Sequence, residues 1–240
     1  MDLSIILPTF NEEGHITDFI NEIKKNIPAG TSYEILVVDD SKDKTGEVLT
    51  ANFSKDENVK IFLRKKRGLA TAILYGINNA KGNRILLLDT DFNHDPKHIP
   101  MILELGKYFD VVNGSRYIWG GGMENAENRW MGSKLFNKFV GVLLGVSTTD
   151  NTGGYIIFKR DLLEKLALEK IFIGYGEFCI RLIYGFKLTK ASLMEFPVVY
   201  GRRRSGESKT HFSKYVFVYT WAAIKTLFNG KKLLKIHSAN

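Results

Sequence analysis

From Leu3 to Ser115 short β-rich runs alternate with helical patterns, and this alternation is what most limits the folds open to the chain. Leu3–Leu7, Tyr33–Val38, Val59–Leu63, Arg84–Leu88 and Val111–Asn113 read as strands. Between them Ile16, Phe19, Ile20 and Ile23 recur at helical spacing, and Leu69–Ala80 and Ile99–Tyr108 also read as helices. Strands and helices taken in turn build βαβ units, so the expected class is α/β, with a single Rossmann-like, mostly parallel sheet flanked by helices. Four of these strands run into polar residues: Pro8-Thr9-Phe10-Asn11, Asp39-Asp40, Asp89-Thr90-Asp91 and Gly114-Ser115-Arg116. Ligands bind beyond the carboxyl edge of such sheets, so chemistry is sought there.

After Arg116 the pattern changes. Gly120-Gly121-Gly122 reads as a mobile loop, Leu135–Leu144 as a strongly apolar helix, Gly154–Phe158 as a strand, Asp161–Leu168 and Glu177–Tyr184 as helices, and Pro197–Tyr200 as a strand. No linker or repeat interrupts residues 1–210, which read as one domain, with 211–240 as a C-terminal basic amphipathic helix. Within that appendage Tyr215 to Phe228 spans 14 residues, about 21 Å as a helix, too short for a hydrocarbon core of about 30 Å. Its aromatic residues, with Lys209, Lys214, Lys225, Lys231, Lys232 and Lys235 around them, suit either a membrane interface or a helix packed on the domain or on a second subunit.

Composition narrows the classes further. Lys plus Arg less Asp plus Glu is 34 − 26 = +8, with 44% apolar and 25% charged residues among 240, ordinary for a globular chain. One cysteine, Cys179, excludes an intramolecular disulfide and reads as core. The N-terminal run ends at Pro8 and reads as a strand, not a signal peptide, and no apolar stretch reaches transmembrane length. Neither GxGxxG after a strand nor GxxxxGK[ST] occurs. His94 and His98 are separated by Pro96 without an HExxH pattern, which disfavours zinc. Arg64-Lys65-Lys66-Arg67 reads as a solvated face, and nucleic acid is not expected as a partner.

The residues suited to chemistry are mainly carboxylates. Asp89 and Asp91, with Asn93 behind them, offer the oxygen ligands that Mg²⁺ or Mn²⁺ shares with substrate phosphates. Asp39 and Asp40 follow a second apolar strand and suit polar groups of a ribose or base, or an Asx turn. Arg116, Arg129, Arg203 and Lys209 stand after strand ends or in loops, where together they could hold phosphates.

Seven segments in order carry a resemblance: LPTFNEE at 7–13, EILVVDDSKDKT at 34–45, RGLATAILYGINNAKGNRILLLDTDFNHDP at 67–96, NGSRY at 113–117, NRWMGS at 128–133, TDNTGGY at 149–155 and GESK at 206–209. Over residues 3–209 the chain resembles the inverting family-2 glycosyltransferases of GT-A fold, and among them the dolichol-phosphate mannosyltransferase and polyprenol-phosphate hexose transferase group. The resemblance implies that Pro8, Phe10, Glu12 and Asp39 line a nucleotide pocket. It implies that Asp89, Asp91 and Asn93 hold Mg²⁺ or Mn²⁺ with the donor diphosphate, and that Arg116, Arg129, Ser133, Arg203 and Lys209 bind acceptor phosphate or leaving diphosphate. The sequence departs from the group at Asn93, where Gln is common, at Ala70, where Gly is common, and at Ile180-Arg181, where lipid-phosphate transferases carry a carboxylate. Glu177 stands near the place where hydroxyl-acceptor relatives keep a base.

The expected function is metal-dependent, inverting transfer of a hexose, mannose from GDP-mannose as first choice, to dolichyl or polyprenyl phosphate. A lipid phosphate is already anionic near pH 7 and needs no strong base; a sugar hydroxyl would need Glu177 or Asp95 to take its proton. The alternatives are a UDP-sugar donor with the same lipid, transfer to a glycan hydroxyl, or a noncatalytic basic module binding RNA or lipid. The expected place is the cytoplasmic face of a membrane, peripherally, attached at the interface alone or through a separate small membrane partner subunit.

Overall fold

The computed structural model describes residues 1–124, 126–201 and 212–235, the last segment in side-chain detail from residue 216. Arg203, Lys209 and the GESK segment lie outside the described residues. A seven-stranded sheet runs β3 (Val59–Leu63), β2 (Tyr33–Asp39), β1 (Leu3–Thr9), β4 (Arg84–Leu87), β7 (Ile156–Lys159), β5 (Val111–Ser115), β8 (Leu193–Pro197). Only β7 is antiparallel to its neighbours. The mostly parallel α/β expectation is met.

Alternation within the strands sorts the core into two layers. Ile6, Leu36, Ile85, Leu87, Val111, Ile156 and Phe158 point to the face covered by α3 (Leu69–Asn79) and α7 (Phe178–Leu188). Leu3, Ile5, Leu7, Ile35, Val37, Leu86, Val112 and Ile157 point to the other, under α1 (Ile16–Asn26), α2 (Thr45–Phe53) and α4 (Ile99–Tyr108). Strands covered on both faces read as continuous apolar runs, which is why β1, β2 and β4 were legible in sequence.

The second half of the chain differs from expectation in places. The 161–168 stretch is a 3₁₀ run, Arg160–Lys165, followed by the short α6 (Leu168–Ile171); Leu166 between them is drawn into a bridge with Leu234. The helix expected at 135–144 starts earlier, as α5 (Glu127–Leu144), and ends on Gly145 in the left-handed conformation with φ 60°. The expected mobile loop is instead pinned: β6 (Gly122–Met123) pairs with β9 (Val199–Tyr200), and Glu124 N–H donates to Tyr200 O. β8 carries little strand signal in the sequence because it is a short edge strand closed by Pro197, with weak period-2 patterning.

The appendage helix α8 (Phe212–Asn229) packs on the domain, with Ala223 buried against Val140, Leu144 and Ile180 of α5 and α7. Its other side is exposed: Phe217, Trp221 and Phe228 form one stripe. No helix among the described residues is long and apolar enough to cross a membrane.

Candidate active site

The carboxyl ends of β1, β2, β4, β5 and β8 open at one edge of the sheet, and antiparallel β7 enters from that same edge. This brings the loops after Thr9, Asp39, Leu87, Ser115 and Pro197 together with the 149–154 turn.

On the β1–β2 side the loops are stitched to one another. Asn11, at φ 60°, donates its N–H to Ser41 Oγ (2.7 Å) and accepts from Lys42 N–H (3.0 Å), and Glu12 N–H donates to Thr45 Oγ1 (2.9 Å). Asp39 is buried and accepts from both the N–H and the hydroxyl of Ser41. Burial raises its pKa above the ordinary carboxylate value, against the lowering effect of the Ser41 bonds. Asp40 turns away: Oδ2 accepts from Gly68 N–H (2.8 Å), and Oδ1 lies 2.9 Å from Arg64 Nε, an ionic contact outside hydrogen-bonding alignment. Asp40 therefore anchors the 64–68 loop, and that loop carries the Arg67 guanidinium to 3.9 Å above the Phe10 ring. Pro8 is half-buried between Leu7 and Thr9 on β1.

Asp89, Asp91 and Asn93 lie together in the turn after β4. The Asp89 side chain is 48% exposed. Asn93 donates to Asp91 through its backbone N–H (3.2 Å) and Nδ2 (3.0 Å), so its amide supports Asp91. Between them Phe92 sits at φ 61°, a conformation costly for a side chain with a Cβ, and its ring packs edge-on against Phe19 at 4.8 Å. His15 Nε2 lies 3.0 Å from both Thr90 O and Glu12 Oε2, which ties Glu12 to this turn. Gly154 passes over it: a Cβ there would stand 3.7 Å from Asp89 Oδ2, so bare backbone leaves room beside the carboxylate.

The donor set fits a hard divalent cation. Two adjacent carboxylates supply oxygen, and among the described residues no group of three His, Cys, Asp or Glu side chains converges on one point. An incomplete protein shell of this kind is the usual one for Mg²⁺, completed by substrate phosphate and water. Zinc is not served: His94 spends both ring nitrogens on Asp89 N–H and Tyr200 OH, and the His98 ring packs between Tyr155 and Phe196.

Across the edge, Arg116 is buried and committed. It donates to Asp150 through Nε (2.7 Å) and Nη2 (2.8 Å), and to Thr152 Oγ1 (3.0 Å). Burial would raise the Asp150 pKa, but the Arg116 charge and hydrogen bonds hold it below the ordinary value. Asn137 joins the network through Thr152 Oγ1 (3.1 Å), and Tyr117 OH donates to Ser133 Oγ (2.6 Å). Arg129 and Ser133 are four residues apart on α5 and share a face, Arg129 exposed and Ser133 half-buried. Glu177 folds back on its own loop, with Oε2 accepting Tyr175 N–H (2.9 Å) and Oε1 4.0 Å from Arg181 Nη2. Nothing in the sequence pattern marks Asn137, His15 or Tyr200 as site residues, and His94 stands out there only as a poor zinc ligand; the TDNTGGY segment is the available signal for Asp150 and Thr152.

Residues 4–167 match the family profile described as Glycosyl transferase family 2. The chain belongs to that family. This makes it a glycosyltransferase, with the mostly parallel sheet the resemblance implied. Among curated relatives, the chain is 33% identical over 230 residues to a dolichol-phosphate mannosyltransferase of Pyrococcus furiosus, covering 91% of this chain and 62% of that one. It is 31% identical to an undecaprenyl-phosphate mannosyltransferase of Micrococcus luteus, covering 87% of each. The chain thus spans less than two thirds of the Pyrococcus furiosus relative. Among solved structures, glucosyl-3-phosphoglycerate synthase from Mycobacterium tuberculosis, in complex with Mn²⁺ and UDP, superposes with TM-score 0.68 at 18% identity, covering 94% of this chain and 79% of that one. Mannosyl-3-phosphoglycerate synthase from Rubrobacter xylanophilus does so with TM-score 0.68 at 20% identity, covering 100% and 78%. At these identities the likeness is one of fold.

Proposed function

We propose that this glycosyltransferase moves a hexose, mannose from GDP-mannose, to a polyprenyl or dolichyl phosphate with inversion, working peripherally on the cytoplasmic face of a membrane. The observation that carries this reading is the two-sidedness of α5. Arg129, Ser133 and buried Asn137 recur every fourth residue on the face turned to the site, while Met131, Leu135, Phe139 and Val142 form an exposed apolar stripe on the opposite face. The second exposed stripe, on α8, with Lys225 Nζ 5.2 Å from the Trp221 ring, has the composition of an interfacial helix. The names of the curated relatives, which act on lipid phosphates, support the same acceptor.

In this reading Pro8, Phe10, Glu12 and Asp39 border the nucleotide, with Arg67 over Phe10 closing the base side. Asp89 and Asp91, supported by Asn93, would hold Mg²⁺ or Mn²⁺, which when bound offsets the charge of the departing diphosphate. Arg129 and Ser133 orient the acceptor phosphate toward the sugar, joined by Arg203 and Lys209 from the 202–211 segment. Arg116 acts from behind them, because its charge is already matched by Asp150. A phosphate acceptor arrives as an anion, so no side chain has to remove its proton, and attack from the face opposite the diphosphate inverts the anomeric carbon. Residues 1–210 form the transferase domain and 211–240 its interface appendage, acting alone or with a small membrane partner subunit.

The test is transfer of labelled sugar from GDP-mannose, UDP-glucose and UDP-N-acetylglucosamine to a short polyprenyl phosphate, with and without Mn²⁺. Metal-dependent labelled lipid from GDP-mannose is expected. Labelled lipid from a UDP-sugar instead would overturn the donor, and donor hydrolysis without labelled lipid would overturn the acceptor.

A further inference from the structure

The turn that presents Asp89 and Asp91 is strained at Phe92 and must be held from outside. Three contacts reach it from outside besides the Phe19 ring under Phe92. His15 meets it at Thr90 O, Tyr155 OH donates to Asp95 O (2.9 Å), and His94 meets it at Asp89 itself. The last contact has an unusual direction: the Asp89 backbone N–H donates to His94 Nδ1 at 2.8 Å. An acceptor at Nδ1 places the ring proton on Nε2, which then donates to Tyr200 OH at 2.8 Å. The Asp89 carboxylate is not the partner, since its Oδ2 lies 3.8 Å from Nε2.

Tyr200 comes from β9, the far end of the described domain, and its half-buried ring also carries the Arg116 guanidinium at 4.8 Å. His94 stacks at 4.9 Å on Tyr155, which fixes the plane of the imidazole between its two hydrogen bonds. Asp89 amide, His94, Tyr200 and Arg116 therefore form one continuous line, buried at His94 and Arg116, joining the paired carboxylates to the Asp150 network.

We propose that His94 is a positioning residue for metal binding: its Nδ1 fixes the Asp89 amide, and Tyr200 fixes the tautomer and tilt of the ring that does so. The proposal rests on the reading that Asp89 and Asp91 hold the divalent ion. The group that matters is an acceptor at the Nδ1 place. Asparagine supplies one at that reach and leucine does not.

The experiment measures Mn²⁺ binding to the full chain by electron paramagnetic resonance, without donor or acceptor, alongside thermal unfolding. Removal of an outer partner of this kind weakens metal binding about tenfold or more, so His94→Leu should raise the Mn²⁺ Kd about tenfold and His94→Asn should recover most of that loss. Tyr200→Phe should weaken binding about threefold in the wild-type background and add nothing in His94→Asn, where the link it breaks is already gone. Equal Mn²⁺ affinity in His94→Leu and wild type, or equal loss in the Leu and Asn variants, would overturn the proposal. If His94→Leu does not fold, the Tyr200→Phe pair decides, and additive effects in the two backgrounds would sink it. Asp91→Asn separates the two readings: undiminished Mn²⁺ binding there removes the metal assignment itself, and the role of His94 falls with it.

Discussion

Asp150 receives Arg116 three times, from Nε at 2.7 Å, from Nη2 at 2.8 Å and from the backbone N–H at 3.2 Å, in a place closed to solvent. Removing one partner of such a pair leaves an uncompensated buried charge, which costs about 3–5 kcal/mol. Asp150→Ala should therefore lower the urea-unfolding free energy by roughly that amount. The pH dependence has a definite sign. The folded Asp150 pKa is depressed, so the stabilisation is complete above the unfolded value of about 3.9 and is lost as pH falls through the lower folded one. Asp110, held to about 2 by Lys159 and Ser192, adds to the same acid limb. Unfolding free energies that stay flat from pH 5 to pH 2 would contradict this.

Half-exposed Asp89 can be changed with little cost to the fold. Asp89→Asn and Asp91→Asn should each lower metal-dependent transfer by at least about a hundredfold, while the melting temperature moves by a degree or two. Assays across a Mn²⁺ titration, with calorimetry on the same samples, check both halves.

The exposed stripes on α5 and α8 predict a separation of binding from chemistry. Phe217 and Phe228 are 77% and 79% exposed, so serine there removes little packing. If the stripe inserts into the interface, partial loss of phenyl burial, about 1.5 kcal/mol, lowers partition onto anionic vesicles roughly tenfold per site. Sedimentation with phosphatidylglycerol vesicles measures this. Transfer to a short soluble acceptor should be unchanged.

What could be read from the sequence was local. β1, β2 and β4 advertise themselves as apolar runs because both faces are covered, and Asp39, Asp89 and Asp91 follow directly at their ends. The Arg116–Asp150 pair could not be read this way, because it depends on β7 running antiparallel between β4 and β5, which turns the 149–154 segment toward the ligand edge. Tyr200 reaches His94 across 106 positions, only because β8 adds as a parallel edge strand. Asp40 has the same sequence setting as Asp39, yet its carboxylate is taken by Gly68 and Arg64; two adjacent side chains at a strand end point to opposite sides, and sequence alone does not say which side holds the ligand.

Glu177 separates the two acceptor chemistries. Its Oε2 accepts Tyr175 N–H, and Gly174, at φ 80°, leaves the space its Oε1 occupies, since a Cβ there would fall 1.7 Å from that atom. Gly174→Ala should therefore destabilise the fold by about 1–3 kcal/mol, through the left-handed backbone and the displaced carboxylate together. Glu177→Gln keeps an oxygen to accept the Tyr175 N–H but loses any capacity to take a proton. Under the lipid-phosphate reading its kcat should remain within about threefold of wild type, and its pH–rate profile should be unshifted; a general base is worth about 10²–10⁴-fold. A loss of that size at preserved stability would move the acceptor to a hydroxyl and make Glu177 the base.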